Sequence, residues 1–330
     1  MILIYTHQVT NRVKYIFNVI FNSILGIDYT LTADPEHFRK FEEAKISYTK
    51  KPIGDEIFFE SSNLLFESGI SLSNPLLDKM KMDDKKDFFA LSFFLVSRYE
   101  EYLPFAEDEY GRFSAKDSFA YKNDFLHKPM VNIWAKEVRR MISVRYPTIT
   151  FPEKQYKYIP TVDIDGAYSY LGKSLKRTLG GYAKAIVTFD IDDLFKRKSV
   201  LSGKEKDPYD TYDLQFDLHK KYHLNPIYFF LLGDWAPNDK NHAHTNPLMR
   251  SLVKNISEKA DVGMHPSFAS NQYPEKIQIE RERLGNITNT SVKKSRQHFL
   301  MLRFPTTYKN LIAAGITDDY TMGYADEVGF

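Results

Sequence analysis

The chain contains no cysteine. That excludes disulfides, thiolate metal sites and a cysteine nucleophile, and it fits a reducing compartment. Long hydrophobic runs are missing as well. The strongest, Ile227-Tyr228-Phe229-Phe230-Leu231-Leu232, is far too short to span a membrane and reads as a buried strand. Neither sign of charge prevails: 45 Lys and Arg stand against 43 Asp and Glu, for a net +2. Composition therefore provides no broad field for nucleic acid or an acidic membrane surface. The opening Met1-Ile2-Leu3-Ile4-Tyr5 lacks the basic lead-in and small-residue cleavage site of a signal peptide. A cytoplasmic protein without a membrane span is the expectation, and nothing in the sequence marks its oligomeric state.

What is present is globular: 43% hydrophobic and 27% charged residues over 330 positions, enough for two units or one large α/β barrel. Aromatics reach 15%, with 25 Phe and 22 Tyr. Such rings build a large core or, in a cleft, stack on sugars, and composition alone favours the core. The densest charge run, Lys79–Asp87, mixes signs and reads as solvated surface.

Residues 1–115 read as a small α/β domain. Strands are expected at Met1–Tyr5, Ile46–Tyr48 and Glu56–Phe59. A helix is expected over Asn11–Leu25, where Val13, Ile16, Val19, Ile20 and Ile24 repeat near helical period. A buried helix is expected over Asp87–Tyr102, stopped by Pro104. Residues 116–155 read as a helical linker built on Val131–Tyr146. From residue 156 to 330 strands and helices alternate: strands at Tyr158–Asp163, Pro226–Leu232, Asp261–Met264 and Lys294–Leu300, helices at Thr211–Tyr222, Pro247–Lys259, Pro274–Gly285 and Pro305–Ala314. That grammar implies a parallel sheet or barrel, whose ligands gather at the carboxyl ends of strands.

Several polar groups fall at those ends. Asp163 and Asp165 lie two apart in Thr161-Val162-Asp163-Ile164-Asp165-Gly166, so strand period puts both on one face. Two carboxylates held that close require a cation, a shared proton or a basic partner. His265 follows Asp261–Met264, and Arg296 and His298 follow the next strand; Asp234 is near another end. A divalent metal bound by acids and imidazoles, and a hydrolytic reaction, follow from this gathering. A second acidic run, Phe189-Asp190-Ile191-Asp192-Asp193, looks like the aspartate motif of aspartyl-phosphate phosphatases, but it reads on as a charged helix and belongs to an insertion over 166–206, with Gly180-Gly181 marking a loop. His242 and His244, in a polar loop, read as exposed.

On these residues the stretch 156–330 resembles the polysaccharide deacetylase family, the NodB-homology domain, in a bacterial branch with a preceding α/β domain. The two-acid motif resembles Thr161–Asp165 with one residue inserted. The histidine motif is similar to Gly263-Met264-His265-Pro266-Ser267-Phe268-Ala269, and the arginine motif to Ser295-Arg296-Gln297-His298-Phe299. The resemblance implies a distorted (β/α) barrel, incomplete at the C-terminus because the sequence ends at Phe330. It also implies a metal-dependent hydrolase that removes acetyl groups from N-acetylated sugars of cell-surface polysaccharide or its precursors. Zinc is the implied ion, with Asp165, His265 and His298 as ligands. Asp163 is the implied base with Arg296 beside it and Asp319 nearby; the reverse assignment of the two aspartates stays open. Where the family carries a second histidine four residues after His265 this chain has Ala269, so His298 would have to replace it. Two alternatives remain: a carbohydrate-binding barrel without activity, and a phosphohydrolase using Asp190 and Asp192.

Overall fold

The computed structural model describes residues 1–71 and 87–330, so the run Lys79–Asp87 lies outside it up to Lys86. The chain divides into two compact units.

The first unit takes Met1–Asp108, Phe113–Gln155 and Asp326–Phe330. Its four parallel strands, β1 (Ile2–Thr6), β2 (Tyr29–Thr32), β3 (Lys45–Thr49) and β4 (Ile57–Glu60), run in the order β2-β1-β3-β4. Sequence reading missed β2, whose Tyr-Thr-Leu-Thr offers one aliphatic residue, and the helix after it, α2 (Pro35–Lys40), capped by Asp34. The helix expected over Asn11–Leu25 is α1 (Asn11–Phe17) continued as a π-helix over Asn18–Leu25 and stopped by Gly26. Val13, Ile16 and Ile20 of its apolar stripe are buried and Val19 and Ile24 half-buried, and Phe17 stacks on Phe89 at 4.3 Å. The helix expected over Asp87–Tyr102 is α3 (Phe88–Val96); Arg98 turns left-handed at φ 52° and a 3-10 turn follows. The short α4 (Phe119–Lys122) and the long α5 (Met130–Arg145) come next, and Ala135, Val138 and Ile142 of α5 enter the same core as the sheet. Residues 116–155, read as a linker, are thus packed structure of this unit.

The second unit takes Glu109–Arg112 and Tyr156–Ala325. Its five parallel strands, β5 (Thr161–Ile164), β6 (Ile227–Phe230), β7 (Asp261–Met264), β8 (Lys294–Ser295) and β9 (Asp318–Asp319), lie side by side in chain order. The helices are α6 (Leu175–Val187), α7 (Ile191–Leu201), α8 (Tyr212–Lys221), α9 (Pro247–Ser257), α10 (Glu275–Thr288) and α11 (Thr306–Ala313). Parallel strands in sequential order need crossovers of one hand, which collects the connecting helices on one face. The packing agrees: Ile164, Tyr228, Phe230 and Met264 share a core with Leu252, Val253, Ile256, Ile277, Leu284 and Leu311 of the helices. The architecture is mixed α/β with parallel sheets, as expected; among the described residues β5 and β9 are not paired, so closure of the second sheet into a barrel is not shown.

The opposite face carries the chemistry. Asp163, Phe229 and Gly263 are register partners across β5, β6 and β7. A Cβ at residue 263 would stand 2.6 Å from the Phe229 ring and 2.9 Å from the Lys294 carbonyl, so glycine there lets the ring lie across the sheet. The parallel ladder runs on past the strands: Leu231 N bonds Ile164 O, His265 N bonds Phe230 O, Arg296 N bonds Met264 O, Tyr320 N bonds Ser295 O and His298 N bonds Pro266 O. Period two then places Asp165, His265, Arg296 and His298 on the face of Asp163.

No helix among the described residues is long and apolar enough to cross a membrane. Three local expectations are corrected. Gly180 and Gly181 lie inside α6, where the Arg197 guanidinium packs against Gly181. Ala185–Val187 is helical and Asp190 caps α7 by accepting from Asp193 N, so the phosphohydrolase alternative lacks the strand end it requires. His242 is buried at 2% exposure, its Nε2 2.9 Å from the Leu171 carbonyl, and His244 is half-buried.

Candidate metal centre

Asp165 Oδ1 lies 3.2 Å from His265 Nε2 and 3.4 Å from His298 Nδ1, and the two ring nitrogens are 3.1 Å apart. Among the described residues this is the one group of acids and histidines with metal-ligating spacing. Each member comes from a different strand end, so the parallel sheet is what brings them together.

The far nitrogen of each ring decides the chemistry. His265 Nδ1 is 2.5 Å from the Arg296 carbonyl and His298 Nε2 is 3.0 Å from the Asn238 carbonyl. A carbonyl oxygen only accepts, so each of those nitrogens carries the hydrogen. In the neutral rings the lone pairs then sit on His265 Nε2 and His298 Nδ1, which face each other and a carboxylate oxygen with no hydrogen between them. Such an arrangement repels unless a proton or a cation fills it. A four-coordinate divalent ion, with bonds of about 2.0–2.1 Å, would place its ligand atoms roughly 3.3 Å apart. The donor set and spacing fit such an ion, and backbone acceptors on the remote nitrogens are what a metal-binding histidine ordinarily has.

Without a cation, a proton does the same work. Burial disfavours charge on both Asp165 and His298. Hydrogen bonds to His265 and then His298, with the charges of both rings, outweigh it and hold the Asp165 carboxyl well below its usual range, and the contact with Asp165 pushes the His298 imidazole up.

Asp163 stands apart from the triad. Its Oδ1 is 3.3 Å from Arg296 Nη1, and Arg296 is itself fixed by Nε donating to the Tyr320 carbonyl at 3.0 Å and by lying 5.2 Å over the Phe229 ring. Asp319 is not brought in. It shares a register row with Ser295, Met264, Phe230 and Ile164, one residue out of step with the site face. Its carboxylate accepts from Ser295 Oγ at 2.7 Å and from the backbone N and hydroxyl of Thr321. Asp234, also at a strand end, is paired with Lys276 and Arg283. The strand expected over Lys294–Leu300 ends at Ser295, and His298 opens a 3-10 turn in which Phe299 and Leu300 take positive φ, 59° and 52°. Arg112 Nη1 donates to the Phe299 carbonyl at 2.7 Å and anchors that turn.

Sequence reading missed two buried acids near the site, Glu280 in α10 and Asp239 in the loop after β6. Neither carries a signal: Glu280 sits in the charged run Glu280-Arg281-Glu282-Arg283, and Asp239 in a polar loop. Burial pushes the Glu280 carboxyl up to about 7, against the hydrogen bonds it accepts from Ser267. Between the ordinary carboxylate range and about 7 the folded chain keeps a proton that the unfolded chain has lost, so this group's contribution to stability falls as pH rises through that window. The urea midpoint of the ion-free protein should therefore drop between pH 5 and pH 8 more in the wild type than in Glu280→Gln; equal drops would rule the effect out.

Residues 2–147 match the model of a family of unknown function, DUF7033. No curated protein sequence matches the chain. Among solved structures, one from Mycobacterium smegmatis, described as a proposed polysaccharide deacetylase, is similar at 12% identity and a TM-score of 0.33. The similarity covers 54% of this chain and 56% of that one, so the two share about half their lengths.

Proposed function

We propose that the protein is a metal-dependent hydrolase that removes acetyl groups from N-acetylated sugars of cell-surface polysaccharide or its precursors. The observation that supports this reading is the pair of histidines whose tautomers are fixed so that both lone pairs meet Asp165. Two imidazoles and one carboxylate are a donor set that suits zinc and leaves a coordination position open. A divalent ion held there supplies a Lewis acid that polarises the acetyl carbonyl and makes a water more acidic.

The rest falls to side chains. Asp165, in contact with both histidines, is the ligand, and Asp163, two residues earlier on the same strand face and paired with Arg296, is the general base. Arg296 orients the Asp163 carboxylate through a charge-assisted contact and is braced on the Tyr320 carbonyl. Asp163 takes the proton of the water whose oxygen adds to the acetyl carbon. When the carbon–nitrogen bond breaks, that proton is the one at hand for the leaving amine, and acetate and a free amino sugar result. Phe268 and Phe299, ring centroids 5.5 Å apart and half-buried, supply apolar surface beside His298.

The test is acetate release from zinc-loaded full-length protein given N-acetylglucosamine oligomers and other N-acetylated sugars. Release abolished by a chelator and restored by zinc is expected. Zinc uptake with no acetate from any of these sugars would leave the carbohydrate-binding alternative in place of the enzyme.

A further inference from the structure

We propose that Asp239 and Glu280 are positioning residues for the ion, two buried carboxylates that preset the loop carrying His265. The proposal rests on the reading of Asp165, His265 and His298 as a metal centre. The loop Pro266–Asn271 follows His265, and with Ala269 where the family resemblance expects a second histidine, a bound ion ties this loop at the single atom His265 Nε2. Its shape has to be imposed by the protein.

Three successive backbone N–H groups show how. Ser267 N donates to Glu280 Oε2 at 2.9 Å, Phe268 N to Asp239 Oδ1 at 2.7 Å and Ala269 N to Asp239 Oδ2 at 3.1 Å. Ser267 Oγ adds a bond to Glu280 Oε1 at 2.6 Å, and Ser270 Oγ closes the loop on the Ser267 carbonyl at 2.7 Å. Both carboxylates are withdrawn from water, Asp239 at 0% and Glu280 at 3% exposure. Ser267 and Ser270 of this loop are themselves buried, so its N–H groups need acceptors from the protein, and two buried acids are an expensive choice for that task. The expense is intelligible if the loop must not move.

Two further contacts connect this clamp to the ligands. Asn238, adjacent to Asp239, supplies the carbonyl that fixes the His298 tautomer, so one dipeptide sets the second ligand and holds the loop of the first. On α10, Arg283 lies one turn beyond Glu280 and donates to the Leu232 carbonyl at 2.8 Å and to Asp234, pinning the helix to the end of β6. There Gly233 approaches so closely that a Cβ would stand 2.6 Å from the Ser267 Cβ. The loop is gripped from β6, from α10 and from the Asn238 turn.

Zinc dissociation constants of the full chain, measured at pH 8 by competition with a chelating dye, test this together with the visible spectrum of the cobalt(II)-loaded protein. Glu280→Gln and Asp239→Asn each replace one acceptor oxygen by a donor. Their zinc affinity is expected to weaken about 10–100-fold, with altered cobalt bands and an unchanged far-ultraviolet circular dichroism spectrum. Ser267→Ala leaves both carboxylates in place and removes one hydrogen bond; it should weaken zinc about fivefold and serves if the other two fail to fold. Variants that lose thermal stability yet bind zinc with wild-type affinity and cobalt spectrum overturn the proposal, leaving a structural role. Wild-type protein that takes up no zinc overturns instead the metal-centre reading on which it rests.

Discussion

On the proposed mechanism, replacing Asp163 by asparagine is expected to lower acetate release by about 10²–10⁴-fold, the range over which a positioned base contributes, with zinc still bound at wild-type stoichiometry. The two halves of this result belong together. Asparagine keeps the shape and still accepts from Arg296 Nη1, which lies 3.3 Å from Asp163 Oδ1, so the strand end should survive. It cannot take a proton from water. The triad contacts run through Asp165 and leave Asp163 out, so retention of the ion follows. Elemental analysis beside the rate separates the roles: zinc lost from Asp163→Asn would mean that the aspartates had been assigned in the wrong order.

His298→Ala is the converse. One of the three protein donors disappears, along with the bond to the Asn238 carbonyl, and zinc affinity should fall by more than the roughly 10–100-fold typical of residues that only support a ligand. Acetate release is expected to fall to background at limiting zinc. Ala269, four residues after His265, has no donor to substitute. Its backbone N–H is already committed to Asp239. An unaltered zinc affinity in His298→Ala would place the ion elsewhere and remove the role given to this strand end.

Much of the site was legible because strand period is short and unforgiving. Asp163 and Asp165 could be placed on one face from their spacing alone, and His265 after Met264 falls on that face by the same rule. His298 could be named but not oriented. The ladder carries the chain to His298, but it then turns left-handed at Phe299 and Leu300, which alternation cannot foresee. Asp319 shows the other side of the rule, since a one-residue difference in register sends its carboxylate to Ser295 and Thr321. The supporting acids were invisible because their partners are backbone N–H groups remote in sequence. In the fold, parallel strands with apolar runs were readable. The barrel was expected from a family likeness; among the described residues five parallel strands in sequential order are seen, without the pairing that would close them. The strand Tyr29–Thr32 and the π continuation of the first helix depend on tertiary packing that overrides local propensity.

An anomalous-scattering map at the zinc edge, from crystals of the full chain grown with zinc, goes directly to the point. A single strong peak is expected about 2.0–2.2 Å from Asp165 Oδ1, His265 Nε2 and His298 Nδ1 together. No peak there at saturating zinc, or a peak on other side chains such as His242 and His244, would contradict the account.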